Sequence, residues 1–324
     1  MIKPEVIETT PTPTQSSVFS SEEPIRIILA GDIMLDRGVE YMIEKYGGGD
    51  FRFPFLKIAD EFQKADVVFG NLEGPISEKG EKVGSIYSFR AVPRAIEGLN
   101  FAGFNVLSLA NNHAFDYGRE ALEDTLKRLK ETGVDELRSS SRFANARVID
   151  YVGAGLNKDD AYSPVVKEIN GTKIGFLAYT DLGSPYWAAT ASSSGIAWLT
   201  EEKLENIKGD IKLAKEKVDI LIVSLHSGEE YAEAPTQFQV EFSKAAIDAG
   251  ADLAVGHHSH VVQKPEIYNG KYIFYSLGNF IFDQAFSEET MEGQIVEILI
   301  ENGKIKEITP EEIKINEFFQ PEIK

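Results

Sequence analysis

The five histidines of the chain all lie just beyond short aliphatic segments that end in polar residues. His113 ends the segment LANNH, His226 ends VSLH, and the other three belong to VGHHSH. Ligands of open α/β sheets bind beyond the carboxyl ends of the strands, so we expect the five imidazoles to meet at one rim. The alternative is a scatter of unrelated surface or core histidines, which any one of them taken alone would favour.

His258 and His260 form a His-x-His pair. On an extended chain their rings would project to the same side while Ser259 points away, which is the geometry that two neighbouring metal ligands require. A half-exposed pair on a strand is the alternative, and His257 beside it would then be merely solvated.

Carboxylates follow the first two aliphatic segments. Asp32 and Asp36 lie in AGDIMLD, and Glu73 lies in FGNLEG. Carboxylates at such positions bind or bridge hard cations, and neutral imidazoles would complete a site suited to Zn, Mn or Fe. The alternatives are a helix cap for Asp32 and a salt bridge in a turn for Glu73.

A third polar end is Asn111-Asn112-His113. An amide oxygen is a weak, uncharged ligand that matters only beside stronger ones, and His113 could act as an acid toward a leaving group. Asparagine also suits a turn after a strand. Arg37 and Arg90 lie near the ends of motifs and could bind an anionic group, or could be plain surface charges.

Composition excludes several classes of function. The net charge of -19 argues against nucleic-acid binding, which depends on Lys and Arg. A polyanionic partner would need bound cations or a local Arg cluster. The absence of cysteine excludes disulfides, thiolate zinc sites and Cys nucleophiles. The chain contains no Gly-x-Ser-x-Gly elbow, Walker loop or dinucleotide glycine fingerprint, so metal-assisted chemistry remains.

The elements that would position these residues form an α/β pattern. Short aliphatic segments such as IRIILAGD and DILIVSLHSG are typical of strands buried in a largely parallel sheet, and amphipathic stretches after Gly118 and Thr200 predict helices between them. Three Asn-Gly pairs between alternating apolar residues predict hairpins. This is enough strand for two packed mixed sheets with helices outside.

We expect a single domain over residues 25–324, preceded by a disordered Pro/Thr/Ser-rich linker at 1–24. Residues 133–149 are polar and aperiodic and predict an inserted surface loop, and 285–324 predict C-terminal strands and a tail. A spacer like 1–24 often follows a signal or membrane anchor. A short natural tail is the alternative.

The segments AGDIMLDRG, FGNLEGPIS, SLANNHAFDYG, YVGAG, SLHSGEEY, VGHHSHVVQ and YSLGNFIFD occur in that order. Together they resemble the CapA/PgsA capsule-synthesis family, over most of the chain. The resemblance implies a role in bacterial poly-γ-glutamate capsule synthesis and export. It also implies a likeness to calcineurin-like metallophosphoesterases, with a four-layer α-β-β-α sandwich of two mixed sheets.

The resemblance also implies a ligand set for one or two divalent ions. One ion would take Asp32, Glu73 and His260, and the other would take Glu73, Asn112, His226 and His258, with His113 as the acid. We expect the catalytic residues to be His113, Asp36 and Arg37. The residues expected to bind substrate are Arg90, Glu229, Tyr231 and Asn279.

Two positions depart from the phosphoesterase pattern, and a third departs from what the family resemblance leads us to expect. Met34 stands where a histidine is expected, Glu73 replaces an aspartate, and Ser227 replaces a tryptophan. Loss of an imidazole weakens the first metal position, so the sequence leaves one or two ions open.

Two functions follow. The first is a metal-dependent hydrolase or transferase acting on a phosphoester or a γ-glutamyl capsule polymer. The second is a non-catalytic, polymer-binding or export component of a membrane synthase complex. In both, we expect the chain to be extracytoplasmic and anchored through a segment outside it. An accidental clustering of motifs is a third interpretation.

Overall fold

The structure is a computed structural model that describes residues 23–83, 85–132, 148–200 and 204–324. Nearly all of the linker predicted at 1–24 lies outside the described residues. The same is true of 133–147 in the loop predicted at 133–149.

One sheet contains eight strands and is mixed. Its central strands β1, β2, β3 and β4 run parallel, β15 pairs in parallel with β1, and β16, β17 and β18 extend the other side antiparallel. The segment 285–324 therefore contributes three strands to this sheet. The strands are β1 (Ile25–Ile33), β2 (Val67–Leu72), β3 (Val106–Ser108), β4 (Asp150–Val152), β15 (Asn279–Ile281), β16 (Glu292–Glu301), β17 (Lys304–Ile315) and β18 (Pro321–Ile323).

The second sheet has six strands in the order β12-β13-β10-β9-β7-β6. Its four inner strands are parallel, and both edge strands pair antiparallel with their neighbours. The strands are β6 (Val165–Ile169), β7 (Thr172–Thr180), β9 (Ile220–His226), β10 (Leu253–His257), β12 (Glu266–Tyr268) and β13 (Lys271–Phe274).

Two short antiparallel pairs, seven α-helices and three 3-10 helices, Phe53–Phe55, Pro185–Trp187 and Glu289–Met291, are the other elements of the described residues. The short strands are β5 (Ala154–Gly155) with β8 (Gly195–Ile196) and β11 (Val262–Gln263) with β14 (Ser276–Leu277). The helices are α1 (Arg37–Tyr46), α2 (Ala59–Phe62), α3 (Ala95–Ala102), α4 (Gly118–Glu131), α5 (Lys158–Tyr162), α6 (Leu204–Lys215) and α7 (Gln237–Asp248). None of the described helices is long and apolar enough to cross a bilayer.

The two sheets face each other across an apolar core. Side chains alternate along β1, so Ile27 and Leu29 face the second sheet while Ile28 faces the helices. The rings of Phe69 and Phe176 stack between the sheets with centroids 5.6 Å apart. Helices α1 to α4 pack on the outer face of the first sheet, and α6 and α7 on that of the second. The predicted four-layer α-β-β-α sandwich is confirmed.

The three predicted hairpins are also confirmed. They join β6 to β7, β12 to β13 and β16 to β17. Each turn has an Asn-Gly pair in which both residues have positive φ, for example Asn170 at 48° and Gly171 at 75°. Two-residue turns that match the twist of a hairpin require this conformation at both positions.

Candidate metal centre

The predicted strand ends meet where the carboxyl ends of the parallel strands of both sheets come together. β1 contributes Asp32 and the residue after β2 is Glu73, whereas β9 ends at His226 and β10 ends at His257. His226 and His257 are direct neighbours in register. All four side chains are buried. Because the sheets are separate layers, the site lies across their interface.

The innermost group consists of Asp32, Glu73 and His226, whose nearest ligand atoms all lie within 4.8 Å of one another. The Nε2 atom of His226 is 4.0 Å from Oε1 of Glu73. Oε2 of Glu73 is buried and has no hydrogen-bond partner among the described residues. Such an orphaned oxygen, next to a second carboxylate and an imidazole, fits a divalent cation.

The electrostatics of this group favour a cation. Burial, together with repulsion from Asp32 and Asp116, raises the pKa of Glu73 well above its ordinary value. Burial also raises the pKa of Asp32, but contacts with His257 and His260 outweigh it and hold that pKa below its usual range. A bound divalent ion would neutralise both carboxylates at once.

Three histidines, His226, His258 and His260, are held neutral. Burial, reinforced by the neighbouring imidazoles, lowers the pKa of His226 well below 6.5. Burial lowers the pKa of His258 to about 3, and that of His260 in the same direction. A neutral imidazole is the form that binds a metal ion.

Asn71 is a site residue that the sequence analysis missed. Its Nδ2 donates to Oδ1 of Asp32 at 2.8 Å and lies 3.1 Å from Nδ1 of His226. It therefore connects the two sheets within the site. Asn71 lies two residues before Glu73 at the end of β2, and the two-residue alternation of strand side chains would have placed both on one face.

Asn111 and Asn112, which follow strand β3, make different contacts. Oδ1 of Asn112 lies 2.7 Å from Nε2 of His226, so this side chain lies beside the innermost group. Asn111 instead stabilises the loop, because its amide donates to Leu72 O at 2.7 Å and its oxygen accepts from the His113 amide at 3.0 Å.

The His-x-His pair converges, but not on an extended strand. β10 ends at His257, and His258 and His260 have φ values of 95° and 56°. The prediction of an extended pair was wrong, since a left-handed turn brings the two ring centroids to 6.0 Å. The amide of His258 donates to Oδ2 of Asp32 at 3.2 Å, which fixes the turn against β1.

His257 is not solvated. Its side chain is fully buried, and Nδ1 lies 3.3 Å from Oδ1 of Asp32. All five residues of strand β10 are buried, because both faces of the strand are covered, and its last residue, His257, is no exception.

A carboxylate lies beside the His-x-His turn. Glu230, in the loop after β9, places a carboxylate oxygen within 4.8 Å of ring nitrogens of His258 and His260. Glu230 is exposed, whereas both histidines are buried. The sequence analysis did not single out this residue, because the loop contains several acidic side chains and no local pattern distinguishes them.

His113 lies at the edge of the innermost group. Its Nε2 atom is 3.8 Å from Oε2 of Glu73, and its Nδ1 atom is 2.7 Å from Oδ2 of Asp116. Asp116, which the sequence analysis missed, also accepts a hydrogen bond from the Phe89 amide at 2.7 Å. The carboxylate therefore fixes the ring so that Nε2 faces the metal centre.

Asp36 and the two predicted arginines are held by structural contacts. Asp36 caps helix α1, accepting from the Arg37 amide at 2.7 Å and from the Arg90 amide at 2.8 Å. Arg37 pairs with Asp283 and lies 4.6 Å over the Phe89 ring. The guanidinium of Arg90 donates to two backbone carbonyls at 3.2 Å.

The predicted substrate-binding residues differ in position. Asn279 is buried, and its Oδ1 lies 2.9 Å from Nδ1 of His260, so it orients that ring. The Tyr231 ring lies 6.0 Å from the His260 ring and packs edge-on against Phe286. Glu229 is exposed beside them.

Met34 and Ser227 are both buried. Met34 belongs to the apolar core on the helix side of the first sheet, and its sulfur accepts from the Asp36 amide at 3.2 Å. It therefore supplies no ligand where the phosphoesterase pattern has an imidazole.

Comparison with solved structures supports the fold. A hypothetical protein from Thermus thermophilus superposes with a TM-score of 0.50, covering 90% of this chain and 99% of that one, at 15% identity. At this identity the likeness extends to the fold alone.

Sequence comparison identifies the family. The chain is 33% identical to the capsule biosynthesis protein CapA of Bacillus anthracis over 87% of its own length and 65% of the relative. It is 33% identical to the PGA biosynthesis protein CapA of Bacillus subtilis strain 168, over 90% of its own length and 73% of the relative. Residues 26–284 match the profile described as bacterial capsule synthesis protein PGA_cap. The chain therefore belongs to the CapA family of bacterial capsule synthesis proteins.

Proposed function

We propose that this protein is an extracytoplasmic, metal-dependent hydrolase or transferase that acts in the synthesis of a poly-γ-glutamate capsule. The names of the Bacillus relatives support the pathway. The observation that carries the chemistry is the buried group of Asp32, Glu73 and His226, with its orphaned carboxylate oxygen. A purely structural core would not retain such a group without a ligand.

The ligands proposed for this group are Asp32, Glu73, His226 and the amide oxygen of Asn112. When bound, a divalent ion such as Mn, Zn or Fe supplies a Lewis acid and lowers the pKa of a water molecule. Asn71 would fix the orientation of the Asp32 carboxylate by donating to its Oδ1.

His113 is proposed as the acid that protonates the leaving group. Its Nδ1 is held by Asp116, so in the protonated imidazolium the Nε2 atom, on the side of Glu73, would carry the proton that is transferred. Phe89 lies against the ring with centroids 4.1 Å apart and restricts its rotation. An oriented imidazole of this kind contributes about 10²–10⁴-fold to a rate through general acid catalysis.

The substrate is proposed to be a phosphoester or a γ-glutamyl amide of an anionic polymer. The chain itself carries a net charge of -19, so bound divalent cations would reduce its repulsion of a polyanion. Tyr231 and Phe286 present 42% and 64% exposed aromatic surfaces beside His260, where they would form one wall for the bound chain.

The test combines metal analysis with turnover. The purified protein, loaded with Mn²⁺ or Zn²⁺, is assayed on bis-p-nitrophenyl phosphate and on γ-glutamyl oligomers. We expect hydrolysis of at least one substrate, its loss with a chelator, and its loss in His226→Ala together with the bound ion. Absence of bound metal in the wild-type protein would refute the proposal.

A non-catalytic role in polymer binding or export is the second candidate, and the position of Met34 favours it. The buried thioether removes one imidazole from the expected set, which weakens one metal position. This role predicts that the protein binds metal but turns over neither substrate, and that His113→Ala leaves polymer production intact.

A further inference from the structure

His257 is a polar side chain in an apolar layer. On strand β10 it follows Leu253 and Val255 at two-residue spacing, and both of these belong to the core between the sheets. The His257 side chain therefore faces that core, is fully buried, and has its ring centroid 6.1 Å from that of Phe69. Transfer of an imidazole from water into such a layer costs free energy that an aliphatic side chain at this position would not incur.

The contact that distinguishes His257 from its apolar neighbours is with Asp32. Nδ1 of the ring lies 3.3 Å from Oδ1 of that carboxylate. Neither ring nitrogen has a well-aligned hydrogen bond with any other described residue. A buried imidazole without another partner is unfavourable, so its contact with Asp32 is the feature that accounts for it.

Asp32 is contacted from both sheets. From the first sheet, Asn71 donates to its Oδ1 at 2.8 Å, and from the turn after β10 the His258 amide donates to its Oδ2 at 3.2 Å. His257 adds a contact at Oδ1 from the end of β10 itself. Because Oδ1 is then contacted by Asn71 and His257 together, rotation of the carboxylate about its Cβ–Cγ bond is restricted.

The neighbouring strand shows the difference between binding and positioning. β9 ends at His226, which is in register with His257 and belongs to the innermost group. His257 belongs to neither group of described residues whose ligand atoms converge within 4.8 Å. Of the two adjacent imidazoles, one thus lies where an ion would be bound, and the other lies against a carboxylate of the same group.

We infer that His257 is a positioning residue, which orients the Asp32 carboxylate through Nδ1 and does not itself bind the ion. Groups that orient a metal ligand in this way contribute about 10–100-fold to metal affinity. The inference rests on the proposed function for the ion at Asp32. It deepens that proposal by assigning a role to a residue that the family resemblance left without one.

Two substitutions of the same shape test the contact. His257→Asn keeps a donor near the place of Nδ1, whereas His257→Leu has the same branching and no donor. Mn²⁺ is titrated into each metal-free protein by isothermal titration calorimetry, and the site followed is the one that Asp32→Ala abolishes. We expect the Kd of that site to rise about 10–100-fold in His257→Leu and much less in His257→Asn.

Ser224→Ala is the matched control. Ser224 is a buried polar residue on β9 that faces the same core two residues before His226, and its Oγ has no hydrogen-bond partner among the described residues. Its removal should leave the Kd unchanged. Urea denaturation of the metal-free proteins shows whether each variant is folded, and His257→Met replaces His257→Leu if that variant is not.

Equal losses of affinity in His257→Leu and His257→Asn would mean that the ring acts through packing, and the inference would be overturned. Wild-type affinity in His257→Leu would overturn it as well. In both cases the ion at Asp32 and the proposed function stand. If the wild type binds no metal, the proposed function fails together with the inference.

Discussion

The pKa of Glu73 is raised, whereas the pKa values of His226 and His258 beside it are lowered. Both shifts favour the uncharged form of the side chain. Burial favours the protonated form of the glutamate and the neutral form of His226 and His258. Without an ion, Glu73 and these two histidines all avoid charge. A divalent cation reverses the preference of the glutamate alone, because the imidazoles are already in the form that binds.

The contact between Asp116 and His113 leads to a prediction about substrates. Asp116→Asn weakens the orientation of the imidazole, so protonation of the leaving group becomes less effective. A phenyl phosphoester, whose leaving group is strongly basic, should lose roughly tenfold or more in kcat/KM, while a p-nitrophenyl ester should lose much less. Steady-state kinetics on the two esters measure the difference.

Equal losses on both esters would contradict this positioning role and indicate general damage to the site. The p-nitrophenyl ester is the internal control, because its leaving group needs little protonation. A metal determination on the same variant shows whether the ions remain.

At this scale the sequence predicted residue types at strand ends better than their partners. Asp32, Glu73 and His226 could be found because each follows an aliphatic strand. Asp116 and Glu230 could not, since their importance depends on contacts between distant loops, such as the hydrogen bond from Tyr231 to Ser259. Polar loop residues carry no periodic signal of their own.

Helix α1 is capped by Asp36, which was predicted to be catalytic. Asp36 accepts hydrogen bonds from the Arg37 amide and the Arg90 amide, which satisfies a free donor at the helix start and ties the loop before α3 to it. Its two carboxylate oxygens are thus both engaged by backbone.

The capping role predicts a difference between two substitutions. Asp36→Ala should lower the free energy of unfolding by about 1 kcal/mol, because it removes the cap. Asp36→Asn should lower it by less, because asparagine still caps the helix through its oxygen, although its Nδ2 cannot accept the bond from the Arg90 amide. Urea denaturation measures both. If Asp36→Asn abolishes turnover at normal stability, the residue is catalytic and not merely a cap.

Among the elements, hairpins were the most predictable and the end of β10 the least. Asn-Gly pairs specify their own turn, so three hairpins followed from dipeptides alone. By contrast, the left-handed conformation of His258 and His260 could not be predicted from the sequence, because neither position is a glycine. This turn is held by contacts to Asp32 and Asn279, which are distant in sequence and leave no signal in the local residue pattern.

The whole molecule is two sheets joined by apolar packing, with ligands from both at one end. Asp32 and Glu73 come from the first sheet, and His226 and His258 from the second. An ion bound between them, as proposed, would connect the layers. Binding to the folded state alone stabilises it by about 2.7 kcal/mol when the ion is at a hundredfold its Kd.

The size of this stabilisation should depend on pH through Glu73. Its pKa in the fold is raised above 4.5, so without metal it favours folding fully below pH 4.5 and loses that contribution as the pH rises through the raised value. Metal binding needs the ionised form. The increase in Tm on adding Mn²⁺ should therefore grow as the pH rises from about 5 to 7.5.

His226 and His258 do not cause this pH dependence of the increase in Tm. Their pKa values are lowered, so the imidazoles stay neutral in the fold below 6.5, and they oppose folding only as the pH falls. Glu73→Gln is the control, with a smaller increase in Tm that is nearly independent of pH. If the increase in Tm depended equally steeply on pH in Glu73→Gln, a group other than Glu73 would be responsible for the pH dependence.

The order of the ligands along the chain sets when the metal can be taken up. Asp32 and His258 are 226 positions apart, with β9 and its His226 between them. No growing chain that stops before the last of these strands contains the complete set, and contacts of such long range form late. Under the proposed function, loading would thus be a closing step of maturation, and the ion available where the chain finishes folding would compete first for the site, ahead of any ranking by intrinsic affinity. In an exported protein, that compartment lies beyond the membrane and has its own supply of metals.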